Sequence, residues 1–333
     1  MLSRVADSLY WLVRYIERAE NLARLVDVNA YDALEAGNVE SDAIWRPVLN
    51  ATCAEDCYLE ARAQAGGELD VLYFITLSEE NPDSIRQCIA QARENARMVR
   101  DQISEEMWLE LNSFHLFIRS AEAGRLWRVE PDEFYRKVVK FCLLFEGLIE
   151  ATLLHDEGWQ FIQIGKMLER ADKTSRVLDM LAGAGVPDRA KLGSALRSCS
   201  GLSAFRSEYR GDVTLPNVVS FLLFSQSFPR SVRFCLRQLD GVLHGLSGMP
   251  AGTFSNEAER LTGSMLAQLS FSSLDSVWAT GLHQYVDSLQ VQFNSIGQQV
   301  FETYVLLPSE IQNLAQVDSL SLHRHQQHQQ QQQ

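Results

Sequence analysis

A repeated segment within the chain is the strongest constraint on its fold. Residues 17–27 read ERAENLARLVD and residues 169–179 read ERADKTSRVLD, so that identical residues stand 152 positions apart. A second pair follows in the same order 147 positions apart, with NPDSIRQCI at 81–89 and FPRSVRFCL at 228–236. Two matches in the same order indicate that a unit of about 150 residues has been duplicated.

Helical periodicity runs through both halves of this duplication, which we place at residues 1–152 and 153–316. Apolar residues recur every three or four positions, and no segment alternates like a strand. The sequence therefore predicts an all-α fold, a multi-helix bundle made of two pseudo-repeated halves. The predicted helices span residues 2–36, 41–65, 82–112, 131–155, 157–182, 188–209, 216–226, 229–247, 252–269 and 273–306.

The charge of the chain argues against two kinds of partner. Lys and Arg number 30 against 43 Asp and Glu, a formal net charge of −13 at pH 7. No excess of cations is available to displace counterions from nucleic acid or to bind an anionic membrane, so we expect neither partner.

From the sequence we expect neither a transmembrane helix nor an N-terminal signal peptide. No window of about 18 apolar residues predicts a transmembrane helix, and the N-terminus has no apolar signal core, so we expect a cytoplasmic protein. The His- and Gln-rich tail at 317–333 has almost nothing to bury, and we expect it to be disordered.

The sequence contains no recognised catalytic, metal-binding or cofactor-binding motif. It has no phosphate-binding G-x-x-x-x-G-K-[ST] loop, no H-E-x-x-H and no G-x-S-x-G. The Glu-x-x-His pairs of di-metal bundles are also missing, and Cys53 and Cys57 have no second cysteine pair or nearby histidine. We therefore expect no metal and no cofactor, and no residue is identified as a nucleophile.

The repeated segment supplies the first group of candidate residues. Most of the circumference of helix 2–36 is apolar, and charged residues occupy a narrow arc. Arg18 and Arg170 fall outside this arc, so each needs a carboxylate or carbonyl partner, because an unpaired buried charge is costly. The candidate residues of the two repeat helices are Glu17, Arg18, Arg24, Glu169, Arg170 and Arg176.

Two interpretations of these charged residues remain open. Repeated Glu and Arg pairs inside a bundle are more often ion-pair networks than catalytic groups. In the alternative, burial raises the pKa of Glu17 or Glu169 so that it acts as an acid or base, while arginines hold an anionic substrate.

A row of arginines on helix 82–112 supplies the second group of candidates. Arg86, Arg93, Arg97 and Arg100 recur at helical spacing. Like charges on one face of a helix repel each other unless an acidic group faces them. The acidic arc of the first helix could supply that charge, or the row could bind an external anion such as a phosphate or a carboxylate-rich substrate.

Three long segments resemble the Alpha-E family, a bacterial all-helical family of undefined biochemical function. They are MLSRVADSLYWLVRYIERAENLARLVD at the start, RENARMVRDQISEEMWLELN at 93–112 and EGLIEATLLHDEGWQFIQIGKMLERADKTSRVLD at 146–179. The resemblance covers the chain to about residue 316. It implies a genomic context: members are typically encoded beside, or fused to, a circularly permuted ATP-grasp protein similar to amide ligases. A transglutaminase-like protein is often encoded nearby.

The resemblance and the missing motifs favour an accessory role over catalysis. The first hypothesis is a helical partner that holds an ATP-grasp-type ligase or its peptide or amino-acid substrate. A stand-alone enzyme acting on an anionic, peptide-like or amino-acid substrate is the alternative. A homo-oligomeric scaffold without a ligand is a third possibility.

Overall fold

The computed structural model describes residues 3–35, 42–183 and 187–306. These ranges contain sixteen α-helices and no strand, which confirms the predicted all-α class. None of the helices has the length and hydrophobicity to cross a bilayer within the described ranges. The helices are α1 (Ser3–Glu35), α2 (Asp42–Ala51), α3 (Glu55–Gln64), α4 (Val71–Thr76), α5 (Ile85–Met98), α6 (Glu105–Ile118), α7 (Ala121–Val129), α8 (Pro131–Thr152), α9 (Glu157–Leu181), α10 (Arg189–Ser198), α11 (Leu202–Glu208), α12 (Leu215–Phe224), α13 (Val232–Ser247), α14 (Glu257–Phe271), α15 (Leu274–Thr280) and α16 (Leu282–Tyr304).

Four of the predicted helices are each divided in two. Left-handed backbone at Cys53, Ser200 and Gly281, with φ of 55°, 55° and 92°, separates α2 from α3, α10 from α11 and α15 from α16. The fourth division separates α5 from α6, because the Ser104 side chain caps a new helix by accepting the Met107 N–H. The short helices α4 and α7 lie outside the predicted helices, since six and nine residues carry little periodicity.

Helices α1 and α9 form the centre of the molecule. Helix α1 packs against α5, α8 and α9, while α9 also packs against α13 and α16. The two helices touch at Gly165, where an added Cβ would lie 2.5 Å from the Tyr10 carbonyl oxygen and 2.9 Å from Val13 Cγ1. Only glycine permits this approach, so Gly165 determines how closely α1 and α9 pack.

The proposed division of the chain into two halves stays a prediction. Helix α8 ends at Thr152 and α9 begins at Glu157, where the Asp156 side chain accepts the N–H groups of the first turn. The buried apolar residues on both sides of this boundary belong to one hydrophobic core. The segment 307–316 and the predicted disordered tail at 317–333 lie outside the described residues.

Substituting two helical glycines by alanine tests the close approach of α1 and α9. We expect Gly165→Ala to lower the free energy of unfolding by about 1–3 kcal/mol, because the new methyl group overlaps backbone and a buried valine. An added Cβ at Gly147, in α8, meets no atom within 4 Å. Gly147→Ala should therefore raise stability by up to about 1 kcal/mol. Urea denaturation measures both, and equal effects would contradict the packing described.

Candidate functional site

The two repeated Glu-Arg dipeptides pair with each other across the contact between α1 and α9. Arg170 donates from Nη2 to Glu17 Oε2 at 2.8 Å and from Nε to Glu17 Oε1 at 3.0 Å. In the opposite direction, Arg18 donates from Nε to Glu169 Oε1 at 2.8 Å. Each helix therefore supplies the glutamate for the arginine of the other, and the repeated sequence produces a reciprocal pair of salt bridges.

Further charged residues surround Glu17. Arg230, in the turn before α13, donates to Glu17 Oε1 at 2.7 Å and to Glu20 Oε1 at 2.6 Å. Arg24 also donates to Glu20 at 2.8 Å, and Glu146 of α8 lies 3.2 Å from Arg170. Glu17, Glu20 and Arg230 are almost completely buried, so this is a charge network inside the protein and not a surface cluster.

A second group of charges surrounds Glu169. Arg14 donates from Nε to Glu169 Oε2 at 2.7 Å and from Nη1 to the Tyr10 hydroxyl at 2.6 Å. Arg18 also pairs with Asp83, in the turn before α5. The Glu169 side chain has no exposed surface, and its charge is balanced by two guanidinium groups and by the Lys173 ammonium group 3.5 Å away.

Asp83 and Arg230 occupy matching positions in the second repeated segment. Each stands between a shared proline and a serine whose side chain caps the next helix. Asp83 presents a carboxylate to Arg18, whereas Arg230 presents a guanidinium to Glu17. Neither residue was among the candidates from the sequence, although the charge difference between two otherwise matching segments is a usable signal.

The pKa values of the two central glutamates follow from these contacts. Burial alone would raise the pKa of Glu17, but Arg170 and Arg230 outweigh it and lower the pKa to about 2. Burial opposes ionisation of Glu169 as well, and there Arg14, Lys173 and Arg18 hold the pKa well below the usual range. Both groups are ionised at neutral pH, which suits salt bridges and not proton transfer.

The remaining arginines of the repeat helices make matching contacts four residues back along their own helices. Arg24 pairs with Glu20, and Arg176 donates to Asp172 at 2.9 Å. Arg176 also lies 2.9 Å from the sulfur of Cys53. The structure thus brings all six candidate residues of α1 and α9 into one neighbourhood.

The arginine row lies along α5 and the turn that follows it, and its partners are local. Arg86 pairs with Glu79 at 2.6 Å. Glu94 accepts from Arg93 at 2.7 Å and from Arg97 at 2.8 Å. These carboxylates come from the segment around α5, so the acidic arc of α1 is not the partner of these three arginines.

Arg100 lies beyond the end of α5 and contacts an aromatic ring. Its guanidinium carbon is 4.9 Å from the centre of the Trp108 ring, and that of Arg93 is 5.5 Å from the same ring. Cation–π contacts of this kind are typical of exposed arginines beside tryptophan. These contacts neither require nor exclude a bound anion, so an anion site on this row stays a prediction.

A cleft of about 380 Å³ opens beside the Glu169 network, between α1, α9 and α16. Gly297 brings α16 close to the network, since an added Cβ would lie 3.3 Å from Leu168 Cδ2 and 3.5 Å from the Tyr10 hydroxyl. Asp172 Oδ1 is buried without a hydrogen-bond partner. The cleft is lined by Tyr10, Trp11, Arg14, Leu168, Asp172, Phe293, Asn294, Gly297, Gln298 and Phe301.

Three carboxylates approach each other closely enough to hold a cation. Oxygen atoms of Glu17, Glu20 and Glu146 lie within 4.8 Å of one another. Arg170 and Arg230 already contact these carboxylates and supply positive charge between them. The donor set therefore fits an arginine-bridged network better than a metal site.

Removing the charge of Glu17 should destabilise the protein. We expect Glu17→Gln to lower the free energy of unfolding by about 3 kcal/mol or more, because Arg170 and Arg230 stay buried after losing a charged partner. The matched control is Glu94→Gln, whose exposed salt bridges on α5 should contribute less than about 1 kcal/mol. Urea denaturation compares them, and a loss for Glu17→Gln no larger than the control's would show that the network is not structural.

The same network predicts acid sensitivity. Folding lowers the pKa of Glu17 from 4.5 to about 2, so its stabilisation is complete above pH 4.5 and is lost as the pH falls towards 2. The shift corresponds to about 3 kcal/mol. Denaturation curves between pH 2.5 and 6 should show a shallower acid dependence in Glu17→Gln than in the unmodified protein, and parallel curves would contradict the prediction.

The sequence of this chain matches a known protein family. Residues 1–305 match the Alpha-E family, described as a predicted alpha-helical domain with a conserved ER motif. Uncharacterised proteins of Mycobacterium bovis and of Mycobacterium tuberculosis strain H37Rv are each 24% identical over 337 residues, covering 93% of this chain. The chain spans only 38% of the length of these relatives, and no solved structure matches it. By its match over nearly the whole described length, this chain belongs to the Alpha-E family.

Proposed function

We propose that this protein is a non-catalytic accessory partner of an ATP-grasp-type amide ligase. The observation that carries the proposal is the reciprocal pairing of Glu17 with Arg170 and of Glu169 with Arg18. These residues are the most distinctive polar feature of the sequence, and their contacts hold α1 against α9. An enzyme that used Glu17 or Glu169 as an acid or base would need a pKa near its working pH, and the salt bridges move both in the opposite direction.

The resemblance to the family supports the choice of partner. It implies a circularly permuted ATP-grasp protein, encoded separately or fused, and a transglutaminase-like protein nearby. The mycobacterial relatives are much longer than the segment that matches this chain, which agrees with Alpha-E segments working beside another segment. A separate ligase would form a complex of ordinary interface size with this protein.

The cleft between α1, α9 and α16 is the proposed place for the substrate of the ligase. An amino acid or a peptide end carries a carboxylate, an ammonium or amide group and a side chain. Arg14 and Asp172 supply opposite charges to the cleft, and Phe293 and Phe301 supply apolar walls. An apolar cleft with a few polar groups is the usual form of a small-molecule site.

Ligase turnover tests the accessory role. ATP hydrolysis by a purified circularly permuted ATP-grasp protein from the same genome is measured with and without this protein, across a panel of amino acids and short peptides. We expect stimulation of several-fold that depends on the acceptor. No stimulation, together with no complex on a sizing column at micromolar concentration, would overturn the proposal.

A pair of phenylalanine substitutions tests the role of the cleft. Phe301→Glu places a carboxylate at the partly exposed rim of the cleft, where it should repel an acceptor carboxylate and reduce the stimulation by about tenfold. Phe271→Glu, in α14, is the matched control because Phe271 is 91% exposed and lies outside the cleft. Equal stimulation by both variants would show that the cleft does not bind the acceptor. The accessory role itself would still be decided by the turnover assay.

A further inference from the structure

A second cleft, lined by none of the residues of the Glu-Arg dipeptides, concentrates arginine side chains. It has a volume of about 460 Å³ and lies between α10, α11 and the turn that follows α11. Four of its lining residues are Arg189, Arg197, Arg206 and Arg210. The arginines of the Glu-Arg dipeptides and of their neighbourhood, by contrast, meet carboxylates.

The acidic residues near this cleft have other partners. Asp188 Oδ1 accepts a backbone N–H in the first turn of α10 at 2.8 Å. Glu208 accepts a serine hydroxyl at 3.2 Å, and Asp212 Oδ2 accepts an asparagine amide at 3.0 Å. The local carboxylates are thus engaged in a helix cap and in loop contacts.

Three of the four guanidinium groups form no ion pair with a carboxylate among the described residues. No carboxylate oxygen in that part of the chain lies within 4.0 Å of Arg189, Arg206 or Arg210. Arg189 instead donates to the carbonyl oxygen of Gly211 at 3.4 Å, which links the two walls of the cleft. Because no carboxylate contacts these three cations, a bound anion would reduce the mutual repulsion between them.

The backbone at the end of α11 holds one of these arginines in an unusual conformation. Arg210 has φ of 51° and Gly211 has φ of 78°, so two successive residues are left-handed. This region is unfavourable for a residue with a long side chain, and glycine or asparagine would adopt it more easily. Arg210 lines the cleft from this turn.

We propose that the cleft between α10 and α11 binds a phosphate-bearing anion of at least the size of pyrophosphate. Guanidinium groups donate paired hydrogen bonds that match phosphate oxygens, and several of them suit an anion with several charges. A single carboxylate would neutralise only one of the cations. The site is separate from the α1–α9–α16 cleft and does not depend on the proposed accessory role.

Calorimetric titration with pyrophosphate tests this site. We expect binding to the unmodified protein, and we expect the double variant Arg206→Gln, Arg210→Asn to bind at least tenfold more weakly. Both side chains are exposed, and asparagine tolerates the left-handed backbone, so the variant should remain folded. Circular dichroism checks that it does.

The matched control removes two arginines from another cleft. Arg125 and Arg128 of α7 line a pocket of about 500 Å³ in which Arg86 and Arg119 have Glu79 as an acidic neighbour. The double variant Arg125→Gln, Arg128→Gln changes the net charge equally and should bind pyrophosphate within twofold of the unmodified protein. An equal loss of pyrophosphate affinity in both double variants would show that the anion responds only to the net charge of the protein, and would overturn the proposal.

Two further titrations test the chemical class of the ligand. Inorganic phosphate should bind at least tenfold more weakly than pyrophosphate, because it reaches fewer of the guanidinium groups. Citrate, a multivalent carboxylate, should also bind more weakly. The proposal fails if citrate binds as tightly as pyrophosphate, or if the unmodified protein shows no pyrophosphate binding at millimolar concentration.

Discussion

The reciprocal salt bridges between α1 and α9 are the interaction on which the rest of the structure depends. Each helix presents a buried glutamate and an arginine, and each charge is balanced by the other helix. A shift of one helix along the other would separate both pairs at once and leave four charges in the core, each poorly compensated. Gly165 brings the two backbones into contact, and the salt bridges then select one register for that contact. We infer that the network specifies the arrangement of the helices more than it adds net stability.

The surrounding helices extend this central contact. The turns before α5 and α13 bring Asp83 and Arg230 to the Glu-Arg dipeptides, while α8 adds Glu146. Helix α16 approaches from the side of Arg14, and the cleft beside the network follows from this approach. The polar groups of the cleft are therefore held by the same contacts that hold the core, which is the preorganisation that a binding site needs.

The sequence predicted those features of the site that depend on residues within a single helix. The repeat located both Glu-Arg dipeptides, and the apolar surroundings of Arg18 indicated that it needs a carboxylate. Periodicity could not identify Glu169 as that carboxylate, nor Arg230 as a neighbour of Glu17, because those contacts join helices far apart in the chain. The cleft between α10 and α11 was missed for the same reason, since its arginines come from two helices and a turn.

The opposite charges of Asp83 and Arg230 show how two similar segments come to differ. Both residues precede a capping serine, so the local structure requires neither charge. In each turn the charge is opposite to that of the side chain it contacts. The Asp83 carboxylate faces Arg18, and the Arg230 guanidinium faces Glu17. Exchanging the two residues would place like charges together at both ends of the network, and at the Glu17 end both charges would lie inside the core, where repulsion is strongest. The two Glu-Arg dipeptides are therefore equivalent in how they pair with each other, but not in the surroundings that stabilise them.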